Sequence, residues 1–175
     1  MSSTDNNLRV PPHSLEAEQA VLGGLLLDHQ AFDQVLEVLQ ASDFYSPDNR
    51  LIFTAMGRLS EAGKPIDIIT ASELLEQDGD LERIGGIAHL AELARQTPGT
   101  SNLITYSQIV RERAMLRQLI RTAHNVADTG YSTDGRSSDE LLAQAEKLFA
   151  DIADQRPADS GIEPLDPLLK SALQR

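Results

Sequence analysis

The sequence predicts an all-α fold, in which a helical globular head is followed by a long antiparallel helical hairpin. Of the 175 residues 41% are apolar, enough for a core, but only 4% are aromatic. Leu and Ala supply most of the apolar content, and both favour helices over strands. Apolar residues also recur at helical spacing behind residues suited to cap a helix. We therefore predict a polar lead-in (1–13), the head (14–100), the hairpin (101–155) and a linker (156–175).

The head is predicted to begin with a helix from Ser14 to Asp28. Ser14 is a suitable N-cap, and two glutamates in the first turn face the positive end of the helix dipole. The Gly23-Gly24 pair costs about 0.5–1 kcal/mol per glycine relative to Ala. The pair therefore indicates either the close approach of another helix or plain tolerance. Further helices are predicted from Gln30 to Leu39 and from Asp48 to Ala62.

The rest of the head is predicted to contain a connector and two short helices. Residues 65–69 are rich in β-branched side chains and suit either an extended connector or a lone strand. Thr70 and Glu73 have the spacing of a capping box, which predicts a helix to about Gln77. A further helix is expected over residues 87–95, before the Pro-Gly pair that follows it.

Two longer apolar patterns predict the hairpin. Residues 102–127 read as one helix, and Ser137 with Glu140 forms a capping box that opens a second helix to about Ile152. A turn of roughly eight residues joins them, which is typical of an antiparallel pair. Two helices can cover only part of each other's apolar stripe. The remaining face must meet either the head or another copy of the chain, and periodicity alone favours neither.

The linker ends in a short predicted helix. Asp166-Pro167 suits the start of a helix whose apolar positions are Leu168, Leu169 and Leu173. Because so short a helix is marginal alone in water, it is either a frayed tail or, as we prefer, a docking helix whose partner lies elsewhere.

Composition excludes several classes of protein. The chain has no Cys, so it has neither a disulfide framework nor a thiolate metal site. Its longest uncharged apolar run is far shorter than the roughly 20 residues that span a bilayer, and it carries no secretory or transit signal, so we expect a cytoplasmic protein without membrane contact. The net charge of −12 argues against binding nucleic acid by bulk electrostatics.

No catalytic, cofactor or metal site is predicted. The Gly63-Lys64 pair lacks the earlier glycine of a phosphate-binding loop and is followed by Pro65, which would remove a donor. The histidines are too dispersed for a metal motif, and the acidic residues near Gly79 fit a solvated turn. We therefore expect no ATPase activity from this chain.

A basic stripe interrupts the acidic background. Arg113, Arg117 and Arg121 share a helical face at i, i+4 spacing. They form either a solvated flank of the hairpin or a surface that recognises an acidic partner or a nucleic-acid backbone. Because Arg117 lies off the apolar stripe, we expect Arg117→Glu to weaken partner binding rather than folding.

Four collinear blocks resemble the N-terminal part of bacterial replicative DNA helicases of the DnaB type, over about residues 8–153. The blocks are Val10–Gly24; Asp43-Phe-Tyr45 with Ile52-Phe53 and Met56; Gly63–Asp67 with Thr70; and Gly85-Gly86, Leu90, Asn102, Tyr106 and Ile109–Arg113. The family often has His just before the Ile-Phe pair, where this chain has Asn49-Arg50-Leu51. The ATP-hydrolysing motor domain of the family is not part of the sequence.

The resemblance implies an architectural function. In that family hairpins pair between subunits, three pairs form a collar above the motor ring, the collar contacts the C-terminal domain of primase, and a loader is a further possible partner. ATP, Mg²⁺ and DNA belong to the motor domain. Carried onto this sequence, the pairing surface consists of Leu116, Ile120, Ala123, Val126, Leu141, Leu142, Leu148 and Phe149. The candidate primase contacts are Arg113, Arg117 and Arg121, and the docking helix is Leu168–Leu173. The alternative is a stand-alone adaptor or inhibitor of helicase rings.

Overall fold

Seven α-helices make up the part of the chain that the computed structural model describes, residues 9–156. They are α1 (Leu15–Leu27), α2 (Phe32–Leu36), α3 (Pro47–Glu61), α4 (Ile68–Asp78), α5 (Gly86–Gln96), α6 (Leu103–Tyr131) and α7 (Ser138–Asp154). Single 3₁₀ turns precede α2 and α3. The described residues contain no strand, which confirms the predicted all-α class. The predicted docking helix, with Leu168, Leu169 and Leu173, lies outside the described residues, as does most of the lead-in.

Helix α1 is the centre of the head. It packs against α3, α5 and α6, and the apolar residues between its two ends, such as Val21, Leu22 and Leu25, are fully buried. A Cβ added at Gly23 would overlap the carbonyl oxygen of Leu93 in α5, and one at Gly24 would overlap the side chain of Leu103 in α6. The glycine pair therefore marks the close approach of two other helices, which was one of its two predicted explanations.

Two local predictions in the head are wrong. The predicted second helix is a 3₁₀ turn at residues 29–31 followed by the five residues of α2. Helix α4 begins at Ile68, one turn before the predicted start, because Asp67 rather than Thr70 is its N-cap. The Asp67 carboxylate accepts the Thr70 N–H at 2.9 Å, and the Thr70 hydroxyl accepts the Asp67 N–H at 3.1 Å. This reciprocal pair also rules out the strand alternative for residues 65–69.

The hairpin is formed by the second half of α6 together with α7. Its first helix continues through Gly130 to Tyr131, and the chain reverses at Asp134 and Gly135, which both have positive φ angles. Ser137 and Glu140 form the predicted capping box at the start of α7. Earlier in α6, buried residues such as Val110 belong to the head core. One continuous helix therefore connects the two parts. None of the described helices is long and apolar enough to cross a membrane.

Candidate protein-interaction surfaces

Arg117 joins the head to the hairpin and is not a surface residue. It is only 8% exposed. Its guanidinium donates hydrogen bonds to the carbonyl oxygens of Pro12 at 2.7 Å and Asp43 at 2.6 Å, and it lies 5.5 Å from the ring centroid of Tyr45. The expectation that Arg117, lying off the apolar stripe, is accessible to a partner is wrong, because the side chain is buried between the head and α6. Arg117 holds the segment before α1 and the 41–45 loop against α6.

Buried carboxylates balance the buried arginine. Glu18 of α1 is 1% exposed and accepts hydrogen bonds from the Tyr45 N–H at 2.5 Å and from the Asn49 amide at 2.8 Å. Burial lowers the pKa of the Arg117 guanidinium, whereas the charges of Glu18 and Asp43 raise it. Asn49, which is 3% exposed, therefore takes part in this network.

A second ion pair fixes the base of the hairpin. The Arg111 guanidinium contacts the buried carboxylate of Asp43 at 2.8 Å and also donates to the carbonyl oxygen of Gln155 at 3.1 Å. Arg111 thereby links the head, α6 and the end of α7. Together with Arg117 it sets the direction in which the hairpin leaves the head.

Sequence reasoning missed both buried carboxylates. From the sequence alone, Glu18 is interpreted only as a favourable charge at the start of α1. Its place on the helix, however, puts it on the buried face. It lies three, four and seven residues before Val21, Leu22 and Leu25, so it shares their buried face. That spacing was the available signal. Asp43 carried no comparable signal of burial from periodicity, because it lies in the 3₁₀ turn before α3 and not in an α-helix.

The hairpin exposes apolar side chains along both of its helices. Leu142 is 62% exposed, Ile120 is 42% exposed and Phe149 is 37% exposed. All three belong to the predicted pairing surface, which should be exposed in a single copy. Ala123 is also exposed. Within one molecule, therefore, the two helices leave part of each other's apolar stripe in contact with solvent.

The predicted pairing residues line different surfaces of the hairpin. A mostly apolar groove of about 360 Å³ near the tip is lined by Val126, Leu141, Leu142 and Leu148. Leu116 lines a second groove of about 430 Å³ at the base, together with Met115, Leu119 and Ile152. Ile120 lies instead at a third groove beside the head, which is more polar than the other two. Of the three grooves, the tip groove contains the largest number of the predicted pairing residues.

The three arginines of the basic stripe have different surroundings. Arg117 is buried, Arg113 is half-buried and Arg121 is exposed. Arg121 makes no ion pair with any residue between 9 and 156. In the same range, no cluster of three or more His, Asp or Glu side chains is placed to hold a metal ion. Arg113 and Arg121 thus remain the accessible members of the stripe.

The fold and these surfaces define a class of helical module, a buried head that carries a hairpin with exposed apolar grooves. Exposed apolar grooves are typical of surfaces that bind other proteins. Comparison with known proteins gives the family. Residues 10–112 match the family described as the DnaB-like helicase N-terminal domain, and the chain belongs to this family.

Relatives and solved structures agree with that assignment. The chain is 50% identical over 165 residues to the replicative DNA helicase DnaB of Buchnera aphidicola subsp. Schizaphis graminum, covering 94% of this chain and 36% of the relative. It superimposes on the N-terminal domain of DnaB helicase from Mycobacterium tuberculosis with a TM-score of 0.77 and 37% identity, covering 81% of this chain and 99% of that one.

A third match is to the N-terminal domain of DnaB helicase from Helicobacter pylori, a structure described together with its interactions with primase. The TM-score is 0.57 and the identity 25%, covering 66% of this chain and 90% of that one. The chain spans about a third of the length of the curated relatives it matches.

Proposed function

We propose that this chain is the oligomerisation and primase-binding domain of a replicative DNA helicase that unwinds DNA with ATP. In this proposal hairpins pair between two copies, and three such pairs form the collar of a hexamer. ATP, Mg²⁺ and DNA are handled by a motor domain, and the complete protein works in the cytoplasm. The observation that carries the proposal is the exposed apolar surface of the hairpin.

The pairing step follows from the cost of leaving that surface in water. Burying apolar area contributes roughly 25 cal/mol per Å², and side chains such as Leu142 and Phe149 retain much of theirs. A second hairpin offers the same apolar face, because a two-fold interface uses one patch twice. The tip groove, with Leu141 and Leu148 in its wall, is the natural seat for a side chain of the partner copy.

The primase step has separate support. The Helicobacter pylori relative is described with its interactions with primase, and the two chains share 25% identity. Arg113 and Arg121 are the accessible basic residues of the stripe and supply orientation at a protein interface, where charge complementarity steers association. Arg117, which was predicted to contact primase, instead holds α6 in position for them.

The pairing proposal is tested by Leu142→Asp combined with Phe149→Asp. Both side chains are exposed in the single copy, so the variant should fold, but two charges in a paired apolar face should dissociate it. We expect light scattering across a concentration series to give a lower mass for the variant than for the original chain at every concentration where the original chain associates.

The matched control is Ala143→Asp combined with Ala150→Asp. These residues are exposed and lie about 100° around α7 from Leu142 and Phe149, and the added charge is the same. The control should keep the mass of the original chain. Equal masses for the Leu142/Phe149 variant and the control would reject the hairpin as the pairing surface.

The primase proposal is tested by titration with the C-terminal domain of primase. Arg113→Glu with Arg121→Glu should weaken binding about thirtyfold, since each reversed charge at an interface rim costs on the order of 1 kcal/mol and about 1.4 kcal/mol corresponds to a factor of ten. The control is Arg83→Glu with Arg95→Glu, which changes the net charge by the same amount at exposed positions in the head. Unchanged affinity in the first variant, or equal losses in both, would remove these residues from the interface.

A further inference from the structure

A third groove lies between the head and α6 and differs in character from the two apolar grooves. Its volume is about 1020 Å³. The segment before α1 forms one wall, the 40–45 loop and Arg50 form the floor, and α6 forms the other wall. Five arginines line it, namely Arg9, Arg50, Arg111, Arg117 and Arg121. They are a third of the 15 basic residues of the chain.

The charge of this groove opposes that of the whole molecule. The chain carries a net charge of −12, yet Asp43 is the only carboxylate among the residues that line the groove. That carboxylate is already paired with Arg111. The guanidiniums of Arg121 and Arg50 lie close enough to lower the pKa of Arg117, although less than burial does. Such concentrated positive charge favours the binding of an anion between these side chains.

The groove combines fixed donors with free ones. Arg111 and Arg117 are held by the head, so their positions do not depend on a ligand. Arg50 is exposed and gives one hydrogen bond, to the carbonyl oxygen of Phe44 at 2.9 Å. Arg121 is exposed and forms no ion pair with the described residues. Guanidinium donors of this kind match carboxylates in geometry.

We propose that this groove binds an acidic peptide segment of a partner protein. Carboxylates of the segment contact Arg50 and Arg121, and its apolar side chains lie against Pro11 and Ile120, which belong to the same groove. A long polyanion such as nucleic acid fits less well, because the basic surface is local and the rest of the molecule is acidic. If the acidic segment belongs to primase, this inference rests on the primase binding proposed above and specifies where primase binds.

The experiment uses three fluorescein-labelled probes and the complete chain. The probes are the C-terminally amidated peptide (Glu-Ala)₅, its neutral amidated counterpart (Gln-Ala)₅ and a thymidine hexanucleotide, whose five phosphates match the five side-chain carboxylates of the first peptide in number. We expect the anisotropy titration to show saturable binding of (Glu-Ala)₅ that weakens with salt. Binding of the other two probes should be at least about tenfold weaker.

Variants assign the binding to the groove. Arg50→Gln with Arg121→Gln should weaken (Glu-Ala)₅ binding about tenfold, since both removed groups are rim charges. Arg121→Gln alone gives a smaller loss and leaves the Arg50 hydrogen bond intact, so it tests the groove even if the double variant is unstable. Arg83→Gln with Arg95→Gln is the control for net charge and should bind like the original chain.

Three results would overturn the proposal. They are no saturable binding of (Glu-Ala)₅, equal affinity in the groove variant and the control, and tighter binding of the oligonucleotide than of the peptide. The last result would assign the groove to nucleic acid. Because primase is absent from these titrations, their failure is distinguishable from a failure of primase binding, which the earlier titration measures.

Discussion

The head and the hairpin use the same kinds of apolar residue and bury them to different degrees. Val21, Leu22 and Leu25 of α1 have no exposed surface, whereas Leu142 of α7 is 62% exposed. The difference comes from the number of neighbours. Helix α1 is surrounded by three other helices, whereas α7 packs closely against α6 alone among the described elements. An apolar stripe is therefore not a core by itself, and the surplus on the hairpin is the part available for assembly.

The buried charges lie at the boundary between these two regions. Arg117 and Arg111 reach from α6 to the carbonyl oxygen and the carboxylate of Asp43. Truncating one member of such a network leaves its partners buried and unpaired, which costs more than losing an exposed contact. The boundary should accordingly be as sensitive to substitution as the head, even though the hairpin beyond it is tolerant.

The largest expected effect is that of Arg117→Glu. The substitution would place a carboxylate beside Glu18 and Asp43 and leave the carbonyl oxygen of Pro12 without its donor, so we expect a loss of about 3–5 kcal/mol in the free energy of unfolding. Urea denaturation measures it. Arg113→Glu on the same helix, at a half-buried position, should cost under about 1 kcal/mol. Similar stability of the two variants would contradict the structural role of Arg117.

A smaller loss is expected for Gly23→Ala in the head. The added methyl group would overlap the backbone of α5 at Leu93, and overpacking of this kind costs about 1–3 kcal/mol. Gly57→Ala is the control, because a Cβ there lies 3.9 Å from the nearest atom, Cζ of Phe32. Thermal unfolding should show a lower Tm for Gly23→Ala than for Gly57→Ala. The reverse order would mean that the helices are not in close contact at Gly23.

The smallest effect has the opposite sign and tests the hairpin. A Cβ added at Gly130 meets no described atom within 4 Å, and replacing a helical glycine by alanine stabilises a helix by about 0.5–1 kcal/mol. We therefore expect Gly130→Ala to raise the Tm slightly when the protein is dilute. A loss comparable with that of Gly23→Ala would show that the tip of the hairpin is packed within a single copy.

The sequence predicted regular structure well because helices are specified locally. Apolar spacing and the Ser137 capping box were sufficient to place α7, and a close helix contact was one of the two explanations predicted for the Gly23-Gly24 pair. The start of α4 was misplaced because Asp67 and Thr70 both suit a helix cap, and only the folded backbone selects between them. Local patterns therefore predict which elements exist more reliably than where each one ends.

The candidate surfaces were only partly predictable. The excess apolar stripe could be recognised from periodicity, and much of it is exposed, as Leu142 and Phe149 illustrate. The burial of Arg117 could not, because its partners are carbonyl oxygens 74 and 105 residues away in sequence. Periodicity predicts on which face of a helix a residue lies, but it does not predict which loop packs against that face.

Amide hydrogen exchange at two protein concentrations is the most direct test of the claim that a second copy covers the hairpin. Association protects amides at the contact and leaves the head core unchanged. We predict that protection within residues 119–149 increases with concentration, while protection within residues 15–27 stays constant. Concentration-independent exchange in both ranges, at concentrations where the mass shows association, would contradict the account.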